Sequence, residues 1–319
     1  MATRVVDLEG STPSYRFYGG RAGQKVGILV DGEPWIAKYP RSGRDPHGKH
    51  VPSYTSSPVA EWLGSHIYAA AGIPVHRTML AWHGGKVVCA CKDFCVGGRH
   101  LVEFNRLKNT LSDDEEDFVG SPSDGEVVFL QDVLSSLSLV ELLRVTPGIR
   151  ERFWDMFVMD AFIKNPDRNN GNWGLLLEDG KQPSLAPVYD NGSCLFSKRS
   201  ASLTARRMGK AQQEHEDAFG TNVSCYRLVD EDDPRGRAIK PFEYLMTSMN
   251  PDVAGAVLRA EHNIRLQDVF ALIDEVPEEA YGRLLMTPAQ RESHKRLLRL
   301  RYEEGIVPAA ERFRAIGLA

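Results

Sequence analysis

The sequence lacks the features that mark several classes of protein. Its 319 residues contain no apolar run near the ~18 residues that a membrane-spanning helix needs. The first residues, MATRVVDLEG, lack the apolar core of a secretory signal. The formal net charge is only −4, so the overall charge does not attract nucleic acid or an anionic membrane. We therefore expect neither a membrane nor a nucleic acid as partner.

Cysteine is also scarce. Five cysteines, an odd number in a chain of this length, are typical of free thiols in a reducing compartment. Cys89, Cys91 and Cys95 lie close together, but no second Cys or His pair of zinc spacing follows them, so we interpret them as hydrophobic residues of a strand. We expect a cytoplasmic protein and leave export as an effector open.

The first hundred residues are predicted to be rich in strands. The runs RFYGG, KVGILVDG and PWIAKYP are short, apolar or aromatic, and broken by Gly and Pro, as hairpin strands are. The segment SSPVAEWLGSHIYAAAGIPV predicts a helix that ends at Gly72. The segment TMLAWHGGKVVCACKDF predicts a second hairpin, with Gly84 and Gly85 in its turn. The acidic residues 108–126 predict a solvated insertion.

Helical periodicity begins near residue 130. Leucines from Leu134 to Leu143 predict one apolar helix. GIRERFWDMFVMDAFIKN predicts a second helix, whose buried side carries Phe153, Phe157, Val158 and Phe162. The tail beyond residue 250 is predicted to be helical as well. We therefore expect an α+β chain with a small β-rich N-terminal lobe, residues 1–98, and a larger helical C-terminal lobe, residues 99–319.

Carboxylates and amides are concentrated in the stretch IKNPDRNNGNWGLLLEDGKQPSLAPVYDNGSCLF, residues 163–196. Asn172 follows Asp167 by five positions, and Asp190 follows Asp167 by 23. The runs WGLLLED and SLAPVYD can pair as a hairpin, which would carry Asn172 and Asp190 to one site. Phosphoryl transfer needs one carboxylate for the hydroxyl proton and an amide with a carboxylate for magnesium, and protein kinases use this first spacing. The alternative is that these turns only cap helices and bend the chain.

The N-terminal region supplies candidate phosphate contacts. The stretch YGGRAGQKVGI predicts a glycine-rich loop whose backbone N–H groups and basic side chains meet phosphate oxygens, with candidate residues Gly20, Arg21, Ala22, Gly23, Gln24 and Lys25. Lys38 fits a strand lysine that reaches nucleotide phosphates, and Glu61 fits its ion-pair partner. The open alternatives are a plain hairpin turn, a lysine that faces water, and an acid favoured by the helix dipole.

Together these motifs, which span residues 15–196, resemble the HipA-like serine/threonine kinases, most closely their short CtkA-like branch. The resemblance implies a two-lobed protein-kinase-like fold, ATP with Mg²⁺, and transfer of phosphate to Ser or Thr of a protein substrate. It implies that Asp167 is the catalytic base, that Asn172 and Asp190 are magnesium ligands, and that Lys38 contacts the ATP phosphates. It also implies that VVCACKDF is the hinge, whose backbone meets adenine between Cys89 and Phe94, with Lys92 and Phe94 as candidate residues.

Three features of the sequence differ from the family pattern or lie beyond it. Long members carry a His two positions after the catalytic Asp, where this chain has Asn169. No Ser or Thr lies between Tyr18 and Ile28, so we do not expect autophosphorylation in the loop. A basic segment follows Asp190 and either engages an acidic substrate or RNA, or is a solvated loop whose charges lack partners; its cations are Lys198, Arg199, Arg206, Arg207 and Lys210.

Three functions are compatible with the sequence. The leading hypothesis is an active Mg-ATP-dependent serine/threonine protein kinase, for which the family resemblance suggests a role as a toxin or effector and an antitoxin or regulatory partner. The second is a small-molecule kinase of the aminoglycoside or lipid type, which uses the same catalytic groups. The third is an ATP-binding pseudokinase that acts as a binding module. The complete set of Lys38, Asp167, Asn172 and Asp190 argues against the third.

Overall fold

A computed structural model describes residues 3–16, 18, 24–40, 43–44, 50–51, 56–110, 128–220 and 224–318. The chain divides into two compact units, each built from separate stretches of sequence. The first unit comprises residues 1–94, 190–220 and 263–301, and the second comprises residues 95–189, 221–262 and 302–319. The assignment of lobes to residues 1–98 and 99–319 stays a prediction.

The strands of the described residues are numbered in chain order: β1 Val6–Asp7, β2 Thr12–Pro13, β3 Lys25–Val30, β4 Glu33–Lys38, β5 Gly43–Arg44, β6 His50–Val51, β7 Thr78–His83, β8 Lys86–Lys92, β9 His100–Glu103, β10 Val128–Phe129, β11 Gly174–Leu177, β12 Ser184–Leu185, β13 Tyr226–Leu228, β14 Arg237–Ala238, β15 Glu279–Ala280 and β16 Arg283–Leu284.

The α-helices of the same residues are α1 Ser56–Ala70, α2 Phe104–Lys108, α3 Leu130–Leu139, α4 Glu141–Arg144, α5 Ile149–Ile163, α6 Ala201–Arg207, α7 Ala211–His215, α8 Pro241–Thr247, α9 Pro251–Asn263, α10 Leu266–Glu275, α11 Pro288–Arg301 and α12 Val307–Ala315. Short π-helical segments, Glu216–Gly220 and Tyr302–Ile306, continue α7 and α11.

The main sheet of the first unit has the strand order β1-β7-β8-β4-β3-β2, with β1 parallel to β7 and the other neighbours antiparallel. Both predicted hairpins are present, β3 with β4 and β7 with β8. Gly84 and Gly85 both have positive φ, 60° and 68°, as the tight turn between β7 and β8 requires. Alternate residues of β4, Trp35 and Ala37, are buried in a core on one face of this sheet.

Helix α1 packs on β7, β8 and α10 and is buried over most of its length. It ends where the sequence predicts, because Gly72 adopts a left-handed φ of 78° and the N–H of Ile73 donates to the carbonyl of Tyr68 at 3.1 Å. In β4 and β8, Lys38 pairs with Cys89, and Ile36 pairs with Cys91. Directly paired residues of an antiparallel sheet share a face, so Lys38 and the two thiols point the same way.

The second unit is built around α5. Its predicted buried residues Phe153, Phe157, Val158 and Phe162 are all at most 3% exposed, and aromatic rings of Phe104, Trp173 and Tyr226 pack close by. Strands β9, β11 and β12 form an antiparallel sheet in the order β12-β11-β9, with Leu175 opposite Leu185. The hairpin predicted from WGLLLED and SLAPVYD is therefore confirmed, within the second unit.

The single helix predicted over Leu134–Leu143 is wrong. The chain forms α3 and α4 instead, because Val140 adopts an extended conformation with ψ 116° between them. Two serines near the end of α3 bond back to the helix, Ser136 Oγ to the carbonyl of Asp132 and Ser138 Oγ to that of Leu134. Such bonds, together with a β-branched residue, weaken helix continuation.

None of the helices in the described part of the chain combines the length and the apolar composition required to cross a lipid bilayer. The predicted acidic insertion lies mostly outside the described residues, which resume at residue 128. The predicted strand RFYGG also falls largely outside them.

Candidate active site

Lys38 lies at the end of β4, with two carboxylates on its ammonium group. Its Nζ is 3.0 Å from Glu61 Oε1 and 3.1 Å from Asp190 Oδ1. Burial alone would lower the pKa of Lys38, but the charges of Asp190 and Glu61 outweigh burial and raise this pKa well above its ordinary value. Lys38 is therefore a fixed cation, and the alternative of a strand lysine that faces water is wrong.

Glu61 projects from α1 and is almost fully buried, with 2% of its surface exposed. Burial favours the protonated acid, yet Lys38 and the side chain of His76 lower the pKa of Glu61 below its ordinary value. The pKa of Asp190 is also lowered, mainly by the charge of Lys38. Since both carboxylates are ionised beside one ammonium group, the cluster carries a net charge of about −1 and can accept a further cation.

Five of the residues predicted from the sequence line one pocket of the first unit. These are Gln24, Lys25, Lys38, Glu61 and Asp190, and the pocket is also lined by Tyr39, Ser57, Pro58 and Gly192. Lys25 lies opposite Lys38 in the pairing of β3 with β4, and its charge also lowers the pKa of Asp190. Basic side chains and an ionised carboxylate thus share a small polar pocket.

Asp190 begins a turn that packs directly against α1. Asp190 itself has a left-handed φ of 59°, which is uncommon for a residue other than glycine. A Cβ on Gly64 of α1 would lie 2.8 Å from Asn191 Cβ, and a Cβ on Gly192 would lie 2.9 Å from Glu61 Oε2. Glycine at these two positions therefore permits the close approach of the turn to the helix.

Asp167 and Asn172 lie in the second unit, in the loop that joins α5 to β11. The Nδ2 group of Asn172 donates to the backbone carbonyl of Asp167 at 2.6 Å. Asn169 donates from Nδ2 to Asp167 Oδ1 at 3.0 Å and accepts the N–H of Gly171 at 2.9 Å. The loop therefore positions the carboxylate of Asp167 and holds the side chain of Asn172 through its amide nitrogen.

A buried arginine holds this loop. Arg168 is 2% exposed, and its Nε lies 2.8 Å from Oδ2 of Asp160, a residue of α5. Its Nη1 also donates to the backbone carbonyls of Asn172, at 3.0 Å, and of Tyr189. One side chain thus ties the start of the loop, its end and the end of the β11–β12 hairpin to helix α5.

Lys92 is the last residue of β8, and Phe94 follows the strand. Neither residue lines the pocket of Lys38. Lys92 Nζ binds Glu33 Oε2 at 2.6 Å, and the backbone N–H groups of Lys92 and Asp93 donate to the carbonyls of Arg77 and Pro34. A contact between this segment and adenine stays a prediction and must use other backbone groups.

The start of the predicted glycine-rich loop is tied to the predicted hinge. Tyr18 Oη donates to Asp93 Oδ2 at 2.9 Å, and Arg16 Nη1 lies 2.8 Å from the same oxygen. Asp93 itself is 4% exposed. Gly20, Arg21, Ala22 and Gly23 lie outside the described residues, so their role stays a prediction.

The basic segment after Asp190 is not a loop of unpaired charges. Arg199 binds Asp217 with both terminal nitrogens, at 2.6 and 2.8 Å, and Arg207 Nε lies 3.0 Å from the same carboxylate. Arg207 also pairs with Glu216. The interpretation of this segment as a solvated loop whose charges lack partners is therefore wrong for these two arginines. Lys198, Arg206 and Lys210 are exposed.

The donor set fits a magnesium–nucleotide complex. Asp190 offers an ionised carboxylate beside an excess of negative charge, and Asn172 offers a carboxamide oxygen, which are the hard oxygen ligands that Mg²⁺ prefers. Lys25 and Lys38 supply positive charge for phosphate oxygens. Asn172 and Asp190 belong to different units, and their use of one metal ion stays a prediction.

Three residues that support the site could not be predicted from the sequence. Asn191 belongs to the YDNG turn, but nothing in that motif indicates that it packs against α1. Arg168 follows the predicted catalytic Asp, yet its pairing with Asp160 depends on how α5 ends. His76, whose Nε2 lies 3.1 Å from Glu61 Oε1, has no signal in the sequence beyond its position after α1.

Known proteins resemble this chain at the level of sequence and fold. The chain is 30% identical over 261 residues to the serine/threonine-protein kinase CtkA of Helicobacter pylori strain J99, covering 82% of this chain and 75% of that protein. The crystal structure of the H. pylori proinflammatory kinase CtkA matches with a TM-score of 0.83 and 26% identity, covering 99% of this chain and all of that one.

HipA of Shewanella oneidensis MR-1, solved with HipB and its operator DNA, matches with a TM-score of 0.54 and 14% identity, over 94% of this chain and 70% of that one. At this identity the match concerns the fold alone. The predictions of an α+β kinase-like fold and of a phosphotransferase are confirmed by these similarities. The model of the HipA-like C-terminal domain matches residues 19–239, more than half of the chain, and the chain belongs to this family.

Proposed function

We propose that the protein is a Mg-ATP-dependent serine/threonine protein kinase. Asp167 is the catalytic base, Asn172 and Asp190 hold magnesium, and Lys38, oriented by Glu61, contacts the ATP phosphates. The glycine-rich loop, Gly20 to Lys25, covers the phosphates, and the segment of Lys92 and Phe94 meets adenine. The observation that carries the proposal is the half-buried Lys38 held between Glu61 and Asp190, in a pocket that Gln24 and Lys25 also line.

Each residue has a chemical task in this proposal. Mg-ATP, when bound, supplies the phosphoryl group and the positive charge that balances it. Asp167, held by Asn169, accepts the proton of the acceptor hydroxyl. Lys38 remains an ammonium group throughout, because its pKa is raised, and therefore stabilises the negative charge on phosphate oxygens without losing a proton.

The substrate class and the partners belong to the proposal as well. The relative CtkA is named a serine/threonine-protein kinase, which supports a Ser or Thr hydroxyl of a protein as the acceptor. The HipA structure contains HipB, which supports a toxin-like role with an antitoxin or regulatory protein partner. We place this activity in the cytoplasm. Size-exclusion chromatography with the product of the neighbouring gene tests the partner.

The activity is tested by incubating the protein with Mg-ATP, a generic basic protein and total cell lysate, followed by intact-mass and peptide mass spectrometry. The variant Asp167→Asn is compared with wild type. The matched control is Asp179→Asn, because Asp179 is exposed in the turn between β11 and β12 and undergoes the same chemical change. We expect phosphopeptides with wild type and the control, and none with Asp167→Asn.

Other outcomes would redirect the assignment. If wild type binds ATP but no protein is phosphorylated, a screen with aminoglycosides and lipids distinguishes a small-molecule kinase from a pseudokinase. If Asp167→Asn transfers phosphate as fast as wild type, Asp167 is not the base and the proposed mechanism is incorrect.

A further inference from the structure

The pocket of Lys38 is connected to a buried hydrogen-bond chain that the proposed mechanism does not use. His76 lies 5% exposed just after α1, and its Nε2 is 3.1 Å from Glu61 Oε1 and 3.2 Å from Ser65 Oγ. Ser65 Oγ in turn accepts a hydrogen bond from Asn191 Nδ2 at 3.1 Å. Asn191, which is fully buried, directly follows Asp190.

The protonation state of His76 follows from these contacts. Burial lowers the pKa of His76, although Glu61 and Asp190 oppose this effect and Lys38 supports it, so the ring is neutral at pH 7. An ionised carboxylate only accepts hydrogen bonds, so the proton of the ring must lie on Nε2, where Glu61 and Ser65 share it. His76 is thus a donor that holds Oε1 of Glu61, the same oxygen that binds the ammonium group of Lys38.

The turn after Asp190 is joined to the same helix by further contacts. Cys194 Sγ donates to the carbonyl of Ala60 at 3.2 Å. Gly64 and Gly192 leave room for Asn191 and Glu61 at distances where a Cβ would collide. A displacement of α1 would therefore move Asp190 and Glu61 together, both of which bind Lys38.

We propose that His76, Ser65 and Asn191 are positioning residues that lock α1 to the turn of Asp190 and so fix the two carboxylates on Lys38. This inference rests on the proposed function for its kinetic consequence, but its structural consequence can be measured without catalysis. The three side chains act through Glu61 and Asp190 and do not touch the substrate.

A metal site at the same place is a weaker interpretation. Single ligand atoms of Glu61, His76 and Cys91 lie within 4.8 Å of one another. However, Glu61 Oε1 already accepts from Lys38 and from His76, and His76 Nε2 carries the proton that a metal would replace. A cation at this position would have to displace the ammonium group of Lys38 from Glu61.

The test compares His76→Leu with His76→Gln. Leucine removes the donor, whereas the amide nitrogen of glutamine can reach the position of Nε2. The first readout is the rate at which an amine-acylating reagent modifies Lys38, measured by peptide mass spectrometry at fixed pH. Loss of the contact from Glu61 lowers the pKa of Lys38, so the free amine becomes more abundant and the reagent acylates it faster.

In His76→Leu, we expect the reagent to acylate Lys38 about tenfold faster than in wild type, and we expect kcat/KM for ATP to fall by a similar factor. In His76→Gln, we expect the acylation rate and kcat/KM to return most of the way to their wild-type values. The control is His66→Leu, because His66 lies on α1 and bonds the carbonyl of Trp62 rather than Glu61. If His76→Leu does not fold, Ser65→Ala and Asn191→Ala, alone and combined, are measured in the same way, and we expect the double variant to lose no more than either single one.

An unchanged acylation rate in the folded His76→Leu variant, or equal rates for the Leu and Gln variants, would refute the positioning role. Additive effects of Ser65→Ala and Asn191→Ala would refute it as well. If acylation follows the expected order but wild type transfers no phosphate, the positioning role stands and the proposed function fails. If wild type transfers phosphate but the acylation rate is the same in all variants, the proposed function stands and the positioning role fails.

Discussion

The functional groups of the two units are held in place in different ways. In the first unit, Lys38, Glu61 and Asp190 bind one another directly by charge, with the proposed support of His76, Ser65 and Asn191 behind the two carboxylates. In the second unit, Asp167 and Asn172 are held by hydrogen bonds of their own loop, and that loop is held by Arg168 and Asp160, which have no catalytic task in the proposed mechanism. Function and stability should therefore be coupled in the first unit and separable in the second.

The largest effect is expected for Arg168→Met in the second unit. Removing the guanidinium takes the counter-charge from the buried carboxylate of Asp160, although Asn165 Nδ2 still donates to it, and the loss of one partner of a buried ion pair typically costs about 3–5 kcal/mol. We expect the free energy of unfolding, measured by chemical denaturation, to fall by this amount. The exposed Arg206→Met is the control and should change it by less than about 0.5 kcal/mol. A change as small for Arg168→Met would show that the loop is held in another way.

Lys38→Met tests the coupling in the first unit. Two ionised carboxylates lose their shared partner, so we expect phosphate transfer to fall by about 10²–10³-fold and the free energy of unfolding to fall by about 2 kcal/mol. By contrast, Asp167→Asn should abolish transfer and change the free energy of unfolding by less than about 0.5 kcal/mol. Equal stability losses in the two variants would contradict the distinction between the units.

The acid sensitivity of the first unit is expected to depend on His294 of α11. Burial, with the charges of Arg199 and Arg291, lowers the pKa of His294 to about 4. The unfolded chain takes up this proton near pH 6.5, so stability falls as the pH drops from about 6.5 toward 4. We expect His294 to account for a fall of about 1–2 kcal/mol in the free energy of unfolding of wild type between pH 7 and pH 5. In His294→Gln this contribution is absent, so the total fall over the same range should be smaller by about 1–2 kcal/mol. The exposed His262→Gln should behave like wild type.

The candidate catalytic residues could be predicted from the sequence more readily than the residues that hold them in place. Strand alternation, glycine turns and helix ends predicted β3, β4, β7, β8 and α1 because these signals are local. The order of Lys38, Glu61 and Asp190 along the chain predicted a pocket that they do line. Residues that act through tertiary contacts left no local signal. His76 meets Glu61 across the packing of α1, and Arg168 meets Asp160 across the end of α5, where Lys164 adopts a left-handed conformation.

The smallest effect is expected for Asn169, whose side chain contacts the carboxylate of Asp167. Asn169→Ala removes the hydrogen bond to the carboxylate of Asp167 and the bond from Gly171, and one such bond contributes about 1 kcal/mol. We therefore expect kcat to fall about fivefold with little change in the KM for ATP, since the base and not the phosphate pocket is disturbed. Asn169→His keeps a donor near Asp167 and should recover most of the lost rate. If Asn169→His is as slow as Asn169→Ala, the hydrogen bond to Gly171 and not the contact with Asp167 matters. If Asn169→Ala is as fast as wild type, the carboxylate is oriented by other contacts of the loop.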